Sequence, residues 1–331
     1  MRHEKESTGP ARVPTRSDHL CALFLSLAAT LALMGAGRVP ANAADNACKE
    51  ITGLAMSSCK AEAEGTRLLT EARCANIADA AAEKMCKHQA EVAAKDEEKT
   101  CKEQRVLRKR VCARLGPGAY SPAIDPANFS SSTTIDNPFF ALIPGKTFIY
   151  EGQTTEGFEH VEFAVTHATR VILGVTCIEV HDTRKIGGIV TEDTRDWFAQ
   201  DKDGNVWYFG ENTTLVDNGL PIDLSGTWTA GIALAQPGII MKAHPALKDF
   251  YRQEFFVGEA EDLAEVINLS ASESTPYTSC NNDCLETEES SPLKPGDVEH
   301  KFYKIGVGNI LTIDLVTTPA QRSELVNIIT E

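Results

Sequence analysis

The sequence is short of basic residues and of long apolar runs. Its 331 residues include 32 Lys and Arg against 47 Asp and Glu, a net charge of −15. A surface of that sign repels a phosphate backbone, so nonspecific binding of nucleic acid is not expected. The apolar run at residues 20–34 is shorter than the ~20 residues that a membrane-spanning helix needs, and Gly35, Gly37 and Pro40 follow it. The sequence therefore predicts no nucleic-acid partner and no retained membrane anchor.

The first 43 residues have the three parts of a secretory signal peptide. A basic start precedes the apolar run, and the small-residue site Ala41-Asn42-Ala43 follows it. We expect cleavage before Ala44 and loss of Cys21 with the peptide, since no lipid-attachment pattern surrounds that cysteine. The mature chain would keep 27 basic and 44 acidic residues, a net charge of −17. An exported protein, periplasmic or extracellular, is predicted.

Residues 44–115 contain no proline and two glycines, and are rich in Ala, Glu and Lys. This is the composition of helices. Their six cysteines follow one another at steps of 11, 15, 12, 15 and 11, close to whole numbers of helical turns, and they are Cys48, Cys59, Cys74, Cys86, Cys101 and Cys112. Helices with so little apolar surface need covalent links to offset chain entropy. We predict a disulfide-stapled helical module that is also available to a protein partner.

Six cysteines allow 15 pairings, and the sequence leaves the pairing open. Neighbouring helices of a three-helix bundle would join Cys59 to Cys74 and Cys86 to Cys101. A twin hairpin that joins Cys48 to Cys86 and Cys59 to Cys74 is equally consistent with the spacing. A metal-thiolate cluster is disfavoured, because no pair has the CxxC spacing and an exported protein meets an oxidising compartment.

From residue 116 the composition changes twice. Residues 116–137 are rich in Gly, Pro, Ser and Thr and predict a linker, or a strap across the following domain. Residues 138–331 alternate apolar with polar side chains in short runs, such as 170–182 and 250–257, that turn residues separate. Eleven such runs without a long helix between them predict a mainly β fold: a strongly curved antiparallel sheet, a barrel or a sandwich.

The standard catalytic signatures are missing from the sequence. It has no G-x-S-x-G elbow, no H-E-x-x-H and no Rossmann glycine pattern, so enzymatic activity stays undecided. Cys280 and Cys284 enclose three residues that a local disulfide can close, with a metal role as the alternative. Cys177 is then unpaired, and its apolar neighbours indicate a small buried side chain.

Charged side chains that share a strand face with aromatic residues are the candidate ligand-binding groups. Residues i and i+2 of a strand lie on one face, which places Glu211 with Trp207 and Phe209, and Glu254 with Arg252. The same reasoning selects further candidates, and the full set is Glu211, Glu254, His300, Asp196 and Glu261. Gathered in one cavity, these groups would hold a divalent cation or the amine of a small ligand. The alternative is that they form ordinary ion pairs on different sides of the sheet.

These candidates favour an exported binding protein that holds a small ligand or a metal cation in its β domain. Two alternatives stay open. A secreted hydrolase would use paired carboxylates, Glu254 with Asp196 or Glu211, and would require one carboxyl of raised pKa. A structural envelope protein would have neither cavity nor ligand.

Five stretches of the chain resemble an uncharacterised family of bacterial exported β-rich proteins. They read NPFFALIPGKTFIYEG, DWFAQDKDGNVWYFGE, AQPGIIM, YRQEFFVGEAED and VEHKFYKIGVG, and the first also looks like the opening strand of curved-sheet envelope lipoproteins. The resemblance covers residues 137–329 and leaves out the cysteine module. It implies an extracytoplasmic β fold and no particular chemistry.

Overall fold

The computed structural model describes residues 46–129 and 133–331. The predicted signal peptide and Cys21 lie outside the described residues. Within the described part, no helix has the length and apolar character needed to cross a membrane.

Residues 46–116 form two long antiparallel helices, α1 (Ala47–Cys74) and α2 (Ala80–Leu115). The α2 helix begins where the Asp79 carboxylate caps it by accepting a hydrogen bond of 2.7 Å from the amide of Ala82. It ends at Leu115, and the following residue, Gly116, has a φ of +97° that favours glycine. The prediction of a helical module is confirmed, but it has two helices and not the three of the bundle alternative.

Three disulfides join the two helices like rungs. The outer disulfide is Cys48–Cys112, the middle one Cys59–Cys101 and the inner one Cys74–Cys86, with Cα–Cα distances of 5.7 to 5.8 Å. Both pairings weighed from the sequence were wrong. In an antiparallel hairpin, residues equally far from the turn lie opposite each other, and every one of these pairs is centred on residue 80. The symmetric cysteine spacing was therefore the sign of a single hairpin.

The β domain is one antiparallel sheet, as predicted, and it is barrel-like. In chain order its strands are β1 (Lys146–Gln153), β2 (Phe158–Ile172), β3 (Val175–Ile186), β4 (Ile189–Gln200), β5 (Val206–Asp217), β6 (Leu220–Asp223), β7 (Trp228–Thr229), β8 (Gln236–Met241), β9 (Phe250–Arg252), β10 (Glu254–Phe255), β11 (Leu263–Ala271), β12 (Cys284–Ser290), β13 (Val298–Lys304), β14 (Gly308–Asp314) and β15 (Gln321–Thr330). Thirteen of them follow in the order β10-β8-β5-β4-β3-β2-β1-β15-β14-β13-β12-β11-β9, and β6 and β7 pair with β5.

The two ends of this strand order are neighbours in the chain. β9 pairs with β11 and β10 pairs with β8, and a single residue, Gln253, separates β9 from β10. The sheet thus curls until its first and last strands meet, and it nearly closes. We call residues 252–262, where the ends meet, the seam.

The strand boundaries differ from the predicted ones where turn residues or charges interrupt the pattern. The run at 250–257 is two strands divided at Gln253, and the run at 170–182 is interrupted by a turn at Leu173 and Gly174, which have φ of +49° and +80°. Strands β8 and β12 were not predicted, because Pro237 and Gly238 lie in the first and four glutamates or serines in the second.

The described residues between α2 and β1, 117–129 and 133–145, lie against the barrel as a strap. The Tyr120 hydroxyl donates to the carbonyl of Pro237 at 3.0 Å, and the Asn137 amide donates to the carbonyl of Gly204 at 3.0 Å. Phe129 and Ile135 are buried in the core. A 3-10 turn forms at Pro126–Phe129, and the ring of Phe129 packs on that of Phe209 with centroids 5.6 Å apart.

The other two predictions about cysteine concern the β domain. Cys280 and Cys284 form a local disulfide, as predicted. Cys177 on β3 is a free and fully buried thiol. Four disulfides in the described residues indicate an exported protein, because reducing compartments rarely keep them.

Candidate ligand-binding cavity

The interior of the barrel holds a cavity of about 680 Å³. Inward side chains of most strands line it, and Phe140, Ala141 and Leu142 reach it from the strap before β1. Ligand pockets in proteins commonly measure about 300–1,000 Å³. The cavity is therefore large enough for an organic molecule.

One side of the cavity carries five carboxyl groups, which we call the acidic wall. They are Asp182 on β3, Asp196 on β4, Glu211 on β5, Glu254 on β10 and Asp262 just before β11. Asp196 and Glu211 are direct cross-strand partners, an arrangement that destabilises a sheet when both are charged. Among residues 46–129 and 133–331, no Lys, Arg or His nitrogen lies within 4.0 Å of these five carboxyls.

Neutral donors hold three carboxyls of the acidic wall in place. The Tyr208 hydroxyl donates to Asp196 at 2.5 Å, the Thr213 hydroxyl to Glu211 at 2.8 Å, and the Trp228 indole N–H to Glu254 at 2.8 Å. These bonds fix the positions of the side chains without neutralising their charge.

Burial raises the pKa of the acidic wall. Desolvation, followed by the charge of neighbouring carboxyls, raises the pKa of Asp182 to about 7 and that of Asp196 to about 8. The same two causes raise the pKa of Glu211 to about 8 and that of Glu254 well above its usual range. Near neutral pH these carboxyls therefore hold protons that a cationic group could displace.

Three of the four cations in the described lining of the cavity are paired with carboxylates outside the acidic wall: Lys301, Arg184 and Arg322, with Lys294 as the fourth. Lys301 on β13 lies 2.7 Å from Glu289 and 3.6 Å from Glu299. Burial opposes the charge of Lys301, but these two glutamates outweigh it and raise its pKa. The Arg184 guanidinium donates to Glu159 at 2.6 Å. The acidic wall has no salt bridge of its own; burial raises the pKa of Asp262, and the more distant charges of Lys301 and Lys294 act against that rise.

Aromatic rings adjoin the acidic wall. Tyr208 stacks on Phe198 with centroids 4.8 Å apart and meets the edge of Trp228 at 5.4 Å. Phe140 packs against Phe198 at 5.6 Å. Faces of aromatic rings attract cations, so these rings and the carboxyls favour the same kind of ligand.

Gln253 of the seam carries a buried donor without a partner. The residue lines the cavity and is 3% exposed, yet its Nε2 has no hydrogen-bond partner among the described residues. A buried amide without a partner costs about 1–3 kcal/mol.

The structure brings together three of the five candidate residues. Asp196, Glu211 and Glu254 all line the cavity. His300 does not, because its Nδ1 lies 2.9 Å from Glu286 and its neighbour Lys301 is the residue that points inward. Glu261 does not either, since it binds Arg108 of α2 outside the barrel.

Two predicted shared faces were wrong because the strands are irregular. Gly210, with φ of +146°, forms a bulge in β5 whose close approach to Trp228 leaves only 2.5 Å for a Cβ atom. Glu211 therefore faces the cavity with Tyr208 and not with Phe209, which packs outside. The break at the seam likewise separates Glu254, which lines the cavity, from Arg252, which lies outside it.

Sequence reasoning missed three lining residues, Asp182, Asp262 and Gln253. Asp182 continues the alternation of the buried Ile178 and Val180, a signal that was available. Asp262 and Gln253 lie at the seam between short strands, where no periodicity marks a face.

The acidic wall is not arranged as a compact metal site. In the described ranges, the ligand atoms of three His, Cys, Asp or Glu side chains come within 4.8 Å of one another only at Cys59, Glu97 and Cys101. Two of those residues form the middle disulfide. The wall carboxyls are instead spread over several strands.

Comparisons with known proteins do not assign this chain to a family. No family model matches the chain, and no curated protein does. The chain is similar to a solved structure described as a "putative lipoprotein" from Parabacteroides distasonis, with 12% identity and a TM-score of 0.33 over 58% of this chain and 99% of that one. That similarity is too weak to indicate function, and the resemblance to an exported β-rich family stays a prediction.

Proposed function

We propose that this exported protein binds a small organic cation, with one or more ammonium groups, inside its barrel. The observation that supports the proposal is the acidic wall beside stacked aromatic rings. Its five carboxyls line the cavity without a cationic partner within 4.0 Å in the described residues, and Asp196 and Glu254 are buried. The protein acts by binding and not by catalysis.

An ammonium ligand supplies what the wall lacks. Buried carboxylates are costly unless a cation pairs with them, and the cost falls when a ligand brings that cation into the cavity. The rings of Tyr208, Phe198 and Phe140 would contact its apolar part or its charge.

A divalent metal ion fits the wall less well than an amine does. Calcium takes six to eight oxygens at about 2.3–2.6 Å, which requires carboxylates that converge on one point. The wall carboxyls are spread along a cavity of about 680 Å³. This geometry suits separate ammonium groups along one chain better than a single ion.

A hydrolase with paired carboxylates is also a weaker reading. General acid and base catalysis uses two carboxyls whose environments push their pKa values apart. Here desolvation raises the pKa of both Asp196 and Glu211 to about 8, and it raises that of Glu254 well above its usual range. All three pKa values are shifted in the same direction, whereas such a mechanism needs one carboxyl that stays ionised.

Calorimetry with matched ligands tests the proposal. The mature protein is titrated with linear diamines and with diols of the same length, which lack the charge. We expect binding of diamines alone, weakened at least tenfold by Glu211→Gln or Glu254→Gln, because the loss of a charged partner costs about 1.5–3 kcal/mol. Affinity should rise from pH 6 to pH 8 as the wall loses its protons.

The matched control is Glu286→Gln, a carboxyl outside the cavity that lies beside His300. It should leave affinity unchanged, as should His300→Ala. Equal binding of diols, or equal affinity in all four variants, would contradict the proposal. If the protein binds calcium but no diamine, and Glu211→Gln removes that binding, the ligand is a metal ion and not an amine. Native mass spectrometry of protein from its own host then identifies the natural ligand.

A further inference from the structure

A second, smaller pocket lies outside the barrel, between the helical hairpin and the seam. It measures about 100 Å³ and is lined by residues of α1, α2, the turn at 116–120 and the seam. Three of its side chains are charged: Arg108, Arg252 and Glu261. The acidic wall belongs to the interior of the barrel and has no residue in common with this pocket.

Glu261 is fully engaged with Arg108. The Arg108 guanidinium donates to both carboxylate oxygens, at 2.7 and 2.9 Å, and the amide of Gly258 donates at 2.8 Å. The Arg108 side chain is 6% exposed and the Glu261 side chain is 2% exposed. The charges of this pair cancel, and the hydrogen-bonding capacity of the carboxylate is used.

Arg252 is left with an unbalanced charge. It is 8% exposed, and no carboxylate oxygen in the described chain lies within 4.0 Å of it. Its guanidinium stacks over the ring of Phe255 at 4.1 Å and lies 5.4 Å from that of Tyr120, which holds it in place. Its Nη1 has no hydrogen-bond partner in the part of the chain that the structure covers.

We propose that this pocket binds a small monovalent anion, a halide or a carboxylate of the size of formate, through the guanidinium of Arg252. The lining carries two guanidinium groups and one carboxylate, so a single negative charge makes the pocket neutral. A volume of about 100 Å³ admits such an ion. Guanidinium groups are suited to anions because they are weakly hydrated and always charged.

The site has a structural consequence. Tyr120 and Phe255, which hold Arg252, belong to the strap and to the seam, and Arg108 belongs to α2. An anion in this pocket therefore links the helical hairpin to the place where the barrel closes. It does so independently of any ligand in the cavity.

Anomalous diffraction from crystals of the mature protein grown in sodium bromide tests the site. We expect a bromide peak within hydrogen-bond distance of the Arg252 guanidinium. Growth in sodium formate should replace that peak with a planar carboxylate. A water molecule beside that guanidinium in both salts would overturn the proposal.

Chloride NMR linewidths test the same site in solution. The wild-type protein should broaden the chloride signal, and formate should compete. Arg252→Met should remove the excess broadening, while the control Arg170→Met, which removes an arginine stacked on Trp197 at 4.2 Å, should keep it. Equal broadening by both variants would overturn the proposal. The bromide experiment uses the wild-type protein, so it decides the matter even if Arg252→Met does not fold.

Discussion

The ion pair between Arg108 and Glu261 joins the helical hairpin to the barrel and allows a quantitative test. Arg108→Met removes the guanidinium that satisfies both oxygens of a carboxylate whose side chain is 2% exposed. Removing one partner of a buried pair costs about 3–5 kcal/mol, since the other charge stays buried and unpaired. We expect a loss of that size in the free energy of unfolding, measured by urea denaturation with tryptophan fluorescence and intact disulfides.

A second change separates the cost of an orphaned charge from the loss of contacts. Adding Glu261→Gln to Arg108→Met keeps an acceptor for the amide of Gly258 and removes the charge. The double variant should recover at least about 1 kcal/mol of the loss. The control Lys87→Met breaks an exposed pair with Glu83 on α2 and should cost at most about 0.5 kcal/mol. The reasoning fails if Arg108→Met costs no more than the control, or if the double variant is less stable than the single one.

Three further predictions concern pH, disulfides and the free thiol. The pKa values of Asp196 and Glu211 lie near 8, above those of an unfolded chain, so the native state holds more protons than the unfolded state between pH 5 and pH 8. The ligand-free protein should therefore lose stability over that range, measured by thermal denaturation. A rise in stability would refute this. With the middle disulfide intact, the outer disulfide closes a ring of about 22 residues, 11 in each helix, and the inner one closes a loop of 12 residues. Replacing both cysteines of the outer disulfide by alanine should therefore cost about 0.5 kcal/mol more than doing so for the inner one. Urea midpoints measure the difference, and a larger loss for the inner pair would contradict it. Burial raises the pKa of Cys177 to about 12, so a thiol reagent should modify it only in unfolded protein; rapid labelling of the native state would disprove its burial.

The sequence was sufficient for the class of fold because composition and periodicity are local signals. Helix-forming residues without proline predicted the hairpin, and alternation predicted the antiparallel sheet. The disulfide pairing required one further step, since the symmetric spacing around residue 80 already describes two helices that face each other.

The candidate cavity was only partly predictable, because irregular positions decide which way a side chain points. Asp196 and Phe198 lie on a regular stretch of β4 and share the cavity as expected. The bulge at Gly210 and the break at Gln253 each shift the alternation by one residue. Which strands meet at the seam depends on contacts distant in sequence, so Asp262 and Gln253 carried no local signal.

The seam also determines what the sheet offers to other molecules. A strand at a free edge exposes unpaired N–H and C=O groups that can add a strand from another chain. Here the terminal strands lie beside each other, and the pairing of β10 with β8 involves only Glu254 with Pro237 and Phe255 with Gln236. A substitution that opened this short contact would create two free edges at once. Self-association through added strands, with loss of the enclosed interior, is the form of damage to which this architecture is most exposed.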